Sequence, residues 1–289
     1  LPWARIVLCL RLLPKAIEVA CPMNQHNSES EYRYQLASAE ARALVHLAAD
    51  HLSHDVYNPK NPVSYTRTTY FDTADRALAK SCSEPVTRRL RVRQYASAPT
   101  TLAEPLLDSS AFLECKDSSG LRRLKTRYRT RPETLRALLT GSLATVSEED
   151  MKALRAQPRL YEFVRAIRRE EYQPVFSTWY RRVSLSTTGV RITIDENVNF
   201  CGPQAIGDVG TRARPKHTFD LLAGRIVEIK LTGAAPSWLA NAMVSLPSVA
   251  TPSKFQRGLS AISLPSRRSI AGTRPLSVLA PSTSPSPHE

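Results

Sequence analysis

The sequence predicts an α+β domain built on a predominantly antiparallel sheet. Seven segments alternate in side-chain character with the period of two that marks a strand. Segments with helical spacing and recognisable caps interrupt them. Within the strands, apolar residues occupy one face and charged residues the other. In "TRRLRVRQY" (87–95), for example, Arg89, Arg91 and Arg93 alternate with Leu90 and Val92.

The alternating segments are 65–73, 88–95, 111–117, 122–130, 177–186, 189–198 and 224–231, rich in β-branched and aromatic residues. Ser38 reads as the N-cap of "AEARALVHLAADHL", with Ala41, Leu44, Val45 and Ala48 on one face. His51 and His54, three apart near its end and outside any HExxH pattern, read as a polar helix face. "CKDSSGLRR" reads as a hairpin loop rather than a phosphate cradle. "PETLRALLTG" stops at Gly141, a C′ glycine, and "SEEDMKALRA" opens with a cap from Ser147 to Asp150. "PSWLANAMVSLP" and "PSKFQRGLSAI" complete the predicted helices, and Trp179 and Trp238 read as packing residues.

The 289 residues carry 40 Lys+Arg against 26 Asp+Glu, a net charge of +14 held mostly by arginine. Such a balance calls for a polyanionic partner, and arginine suits bidentate recognition of phosphate. The five cysteines are scattered without a CxxC pair, which argues against a disulfide framework or zinc site and points to a reducing, cytoplasmic compartment. No run approaches the roughly 18 apolar residues of a membrane span; "IVLCLRLL" is broken by Arg11. Residues 1–30 read as an unstructured extension, with Met23 as the natural start, residues 31–262 as one domain, and 263–289 as a disordered Ser/Pro-rich tail.

On the strand faces, Arg123, Lys125, Arg127, Arg129 and Arg131 oppose Leu124 and Tyr128, and Glu114 and Lys116 share a face with Phe112. Tyr180, Arg182 and Ser184 oppose Val183 and Leu185; Arg191, Thr193 and Asp195 oppose Ile192 and Ile194; Glu228 and Lys230 oppose Val227 and Ile229. Two architectures give this division. An open sheet would leave its charged face in water, whereas a barrel with an apolar, helix-covered outside would enclose a charged tunnel. Carboxylates two positions from lysines, in "ECK" and "EIK", favour the tunnel, because they could hold a divalent ion against phosphates.

The ordered series "TTYFDTAD", "RLRVRQY", "FLECK", "LKTRYRT", "WYRRVSL", "VRITIDENV", "VEIKL…PSWL" and "PSKFQRG" resembles the polyphosphate polymerase domain of the vacuolar transporter chaperone (VTC) family, within the triphosphate tunnel metalloenzymes. The resemblance spans roughly 31–262. It implies an antiparallel β-barrel tunnel with a charged interior flanked by helices. It also implies transfer of the terminal phosphate of ATP, or of another triphosphate, to polyphosphate with Mn2+ or Mg2+. By that resemblance Arg91, Arg93, Lys116, Lys125, Arg182, Lys230 and Lys254 are catalytic. Arg127, Tyr180 and Ser253 bind substrate, and Glu228, helped by Glu114, holds the metal. Two cations of the family pattern are missing: Thr251 stands before the Ser-Lys pair, and Tyr34 is read at a first-strand lysine position, with Glu29, Glu31 or Arg33 as substitutes.

Rival readings are an inorganic triphosphatase of the same superfamily and a non-catalytic polyphosphate-binding module. The chain has neither a Walker loop nor a Gly-x-Gly-x-x-Gly motif. A nucleic-acid binder is disfavoured because few aromatic residues share a face with the arginines.

Overall fold

The computed structural model describes residues 29–81, 86–119, 122–247 and 252–263. The predicted N-terminal extension to residue 28, Thr251 and the predicted tail beyond Ser263 lie outside them.

The strands are β1 (Glu29–Leu36), β2 (Ser53–His54), β3 (Val63–Asp72), β4 (Val86–Ala98), β5 (Leu106–Ser119), β6 (Arg122–Thr130), β7 (Gln173–Thr187), β8 (Val190–Cys201), β9 (Thr218–Leu221) and β10 (Arg225–Thr232). They form one antiparallel sheet in the order β1-β10-β8-β7-β3-β4-β5-β6, with β2 on β7 and β9 on β8. The helices are α1 (Ser38–Ala49), α2 (Ala77–Lys80), α3 (Pro132–Thr140), α4 (Glu148–Arg155), α5 (Pro158–Arg168), α6 (Ser237–Val244) and α7 (Lys254–Ser263).

Apolar strand faces turn outward onto the helices. Leu113 and Leu90 pack with Leu135 and Leu138 of α3, Leu154 of α4 and Leu160 and Phe163 of α5. Ile192, Ile194, Val227 and Ile229 pack with Leu44 of α1 and Leu239 of α6. Burial of these side chains leaves the charged faces turned to the inside of the curved sheet. The helix-covered architecture with an inward charged face is therefore the one adopted. It is not a closed barrel: among the described residues no ladder joins β1 to β6. Inward-pointing charges on both edges, Glu31 and Arg33 against Lys125 and Arg127, disfavour pairing there.

Local differences have local causes. β1 starts at Glu29, two residues before the expected boundary. The N-cap of α1 is Ala37, not Ser38, and the Glu40 carboxylate accepts the Ala37 N–H at 2.7 Å. α1 stops at Ala49, so His51 and His54 do not share a helix; His54 lies in β2 and His51 stacks on Trp238 at 4.5 Å. Trp179 stacks on Tyr65 at 5.3 Å, so both tryptophans pack. The Ser147 cap holds, Asp150 N–H donating to Ser147 Oγ at 3.1 Å, and Gly141 closes α3 at φ 85°. α5 was not expected from the sequence; Pro158 occupies its first turn. β5 and β6 pair from Ser119↔Arg122 onward, as a hairpin requires. Gly258 lets α7 press on the sheet, since a Cβ there would collide with the Phe176 ring.

Candidate functional site

The inward face encloses a cavity of about 240 Å3. Every cation that the resemblance assigned to the site lines it: Arg91 and Arg93 from β4, Lys116 from β5, Lys125 and Arg127 from β6, Arg182 from β7, Lys230 from β10 and Lys254 from α7. Tyr180, Ser253 and Glu228 line it as well, whereas Glu114 lies behind the wall, fully buried.

Register explains the position of Glu114. β4, β5 and β6 pair so that Arg91, Glu114 and Arg127 stand in one row. Arg91 Nε donates to Glu114 Oε2 at 2.6 Å; Arg127 Nε lies 2.7 Å and Lys125 Nζ 3.1 Å from Oε1, with Arg93 Nε at 4.0 Å from Oε2. Burial alone would raise this carboxyl, but the four cations outweigh it and hold it well below the usual carboxylate range. Glu114 therefore aligns guanidinium groups, and its surroundings do not suit the metal-ligand role given by the resemblance. Arg127 is also seated over the Phe112 ring at 3.9 Å and donates to Tyr95 Oη at 2.7 Å.

A second buried carboxylate does the same for the opposite wall. Arg182 and Asp195 are directly paired across β7 and β8. Arg182 Nε and Nη2 donate to Asp195 at 2.6 and 2.7 Å, and Lys254 Nζ donates at 2.5 Å. Burial opposes ionisation, yet Arg182 and Lys254 keep the carboxyl well below its ordinary value. The Tyr180 ring lies under both cations, 5.3 Å from the Arg182 guanidinium carbon and 4.8 Å from Lys254 Nζ. The Ser253 hydroxyl is engaged locally: it accepts the Gln256 N–H at 3.2 Å and donates to Gln256 Oε1 at 2.9 Å, capping α7.

The third cluster is the carboxylate one. Arg33 Nη2 donates to Glu31 Oε1 at 2.7 Å and to Glu228 Oε2 at 3.2 Å, and Lys230 Nζ lies 3.6 Å from Glu31. Burial would raise the Glu228 carboxyl, but Arg33, Lys254 and Arg182 lower it below its ordinary value. The inward cation of β1 is thus Arg33. Tyr34 faces the opposite way, onto the α1/α6 core, which corrects the expected alignment of this strand. Thr193, paired with Glu228 in register, lines the cavity 7% exposed, with its Oγ1 unpartnered among the described residues. Among the described residues no group of three or more His, Cys, Asp or Glu side chains forms a metal cluster, and no helix is long and apolar enough to cross a membrane.

Burial lowers two lysines of this wall, Lys125 and, by the larger displacement, Lys116. Burial pushes the Lys116 ammonium down to about 8; Arg91 and Arg89 push the same way, against Glu31 and Glu228. Lys116 therefore loses its proton as pH rises through about 8, and a bound polyanion favours the charged lysine and raises its pKa. Tripolyphosphate binding at pH 8.5 should take up protons, and affinity should fall above pH 8 by up to about tenfold per pH unit. Calorimetry in buffers of different ionisation enthalpy measures this, with Lys116→Gln as the reference that removes the Lys116 component. Identical proton uptake in the two proteins would show that Lys116 is not the titrating group.

The family profile described as the VTC domain matches residues 28–263. No curated protein matches the sequence. Among solved structures, the chain is similar to a Bacillus halodurans protein described as a "putative adenylate cyclase", at 16% identity over 80% of this chain and 98% of that chain, TM-score 0.44. It is also similar to a Pyrococcus horikoshii protein at 12% identity, over 80% and 98% of the two chains, TM-score 0.42.

Proposed function

The chain belongs to the VTC domain family, and from that premise we propose that it is a polyphosphate polymerase-type phosphotransferase, moving the terminal phosphate of ATP onto a polyphosphate chain. One observation carries the reading: cations from seven strands and α7 converge on a single cavity into which only Glu31 and Glu228 present carboxylates. Such a surface stabilises a run of adjacent phosphates far better than an isolated charge.

Phosphoryl transfer depends on positioning and charge neutralisation. Arg91, Arg93, Arg182 and Lys230 cradle the triphosphate, with Arg91 and Arg93 held by Glu114 and Arg182 by Asp195. Lys125 and Lys254 orient the acceptor, flanked by Lys116 and Arg127. The acceptor phosphate is already anionic, so a strong general base is not required.

A divalent ion fits Glu228 with Glu31 rather than Glu114. Both carboxylates accept from the same Arg33 nitrogen and face the cavity, whereas Glu114 is enclosed by four cations. Two carboxylates plus substrate oxygens and water suit the hard-cation preference for oxygen. A Mn2+ or Mg2+ ion there would neutralise charge on the phosphate oxygens.

Incubation with ATP and Mn2+, followed by separate assays of polyphosphate and free phosphate, tests the reading. Polymer should accumulate with ADP. Free phosphate without polymer would assign water as the acceptor instead, and binding without turnover would make the chain a polyphosphate-binding module.

A further inference from the structure

A second cavity, of about 380 Å3, lies on the opposite face of β4, the strand that carries Arg91 and Arg93, and of its neighbour β3. It is roofed by Leu139 of α3, Ile167 of α5 and Ile206 of the loop after β8, and floored by Phe71 and Val92. None of its lining residues faces the basic cavity, because alternate residues of β3 and β4 point to opposite sides.

Two guanidinium groups line this space, Arg67 and Arg136, and Arg136 is engaged, its Nη2 donating to the Ile206 carbonyl at 3.2 Å as well as pairing with Asp208. Arg67 Nη2 donates to Gln94 Oε1, and Gln94 in turn binds the backbone of Gly207 through its amide at 2.8 Å and its carbonyl at 3.0 Å. Among the described residues no carboxylate pairs with Arg67. The nearby Asp208 is taken by Arg136 at 2.5 Å. Other polar groups in the wall are engaged: Thr69 with Ser177 at 2.7 Å, and Gln204 with the carbonyl of Gly202 at 2.9 Å. Burial pushes the Arg67 pKa down, as expected of a guanidinium removed from water without a counter-ion.

We propose that this cavity is a binding site for a small organic carboxylate with a compact apolar body, its head paired with Arg67. The size lies at the lower end of ligand pockets, and mostly apolar walls with one oriented charge are their usual composition. A single guanidinium matches one carboxylate bidentately. Inorganic phosphate and polyphosphate would leave the apolar walls unfilled, so the ligand differs in class from that of the basic cavity.

Octanoate is the probe, titrated calorimetrically against the full chain with the basic cavity saturated by tripolyphosphate. Wild-type protein should bind octanoate at least about tenfold more tightly than octanol, the least that a charge-assisted hydrogen bond supplies. Arg67→Met should lose at least that factor. Failure of octanoate to bind, parity with octanol, or unchanged affinity in Arg67→Met each overturns the proposal. Should Arg67→Met fail to melt cooperatively, Ala205→Trp decides, since it fills the cavity from an exposed position on its wall. That variant should abolish octanoate binding, and retained binding overturns the site.

Discussion

Glu114→Gln should lower the melting temperature by about 6–20 °C, the largest stability loss expected from one charge in this fold. The figure follows from about 3–5 kcal/mol for removing one partner of a buried ion cluster, and about 2–4 °C per kcal/mol in a domain of this size. Glutamine keeps the shape of the side chain but leaves Arg91, Arg93, Lys125 and Arg127 facing one another without their shared anion. Tripolyphosphate should recover part of the loss by restoring negative charge beside the same groups. The exposed pair Arg169–Glu171 provides the control, since Glu171→Gln should leave the melting temperature unchanged.

The pH dependence of this contribution has a definite sign. The folded-state carboxyl of Glu114 is held below its ordinary value of 4.5. Its stabilisation is therefore complete above about pH 4.5 and is lost progressively as pH falls towards the folded value. Glu114→Gln should flatten that acid limb of the stability profile. A variant that melts with the wild type would mean the arginines are solvated rather than organised by Glu114.

The positions of the cations were legible because like charges at every second residue mark one face of a strand whatever its partners are. Their carboxylate partners were less so, since these depend on register between strands distant in sequence. Asp195 meets Arg182 only because β7 and β8 pair in one register, and meets Lys254 only because α7 docks over the Phe176 ring. On β1, "ESEYRYQL" places polar or aromatic residues on both faces, so alternation could not choose between Arg33 and Tyr34. Pairing with β10 decides it, turning Arg33 towards Glu228 and Tyr34 towards the outer core. Openness between β1 and β6 was also invisible, because a charged inner face is compatible with either a closed or an open wall. Thr193 gave only a face assignment; its unpartnered hydroxyl is a consequence of which groups the fold leaves out of reach.

Glu228→Gln should leave folding and tripolyphosphate affinity close to wild type while lowering metal-dependent turnover by at least about 100-fold, or roughly 2.7 kcal/mol in the barrier. The separation of effects follows from the shared arginine. Arg33 Nη2 is 2.7 Å from Glu31 and 3.2 Å from Glu228, so loss of the Glu228 charge leaves Arg33 its closer partner. Glu228 retains 23% side-chain exposure against 8% for Glu31, so water reaches the Glu228 end of the cluster and can solvate Arg33 there once the charge is gone. What the substitution removes is one of the two anionic oxygen donors proposed to hold a divalent cation against phosphate oxygens. Activity titrated with Mn2+ should therefore shift to higher metal concentration as its maximum falls, beside an unchanged melting curve. If the melting temperature drops while the metal dependence stays that of the wild type, Glu228 is a structural partner of Arg33, and the metal assignment is overturned.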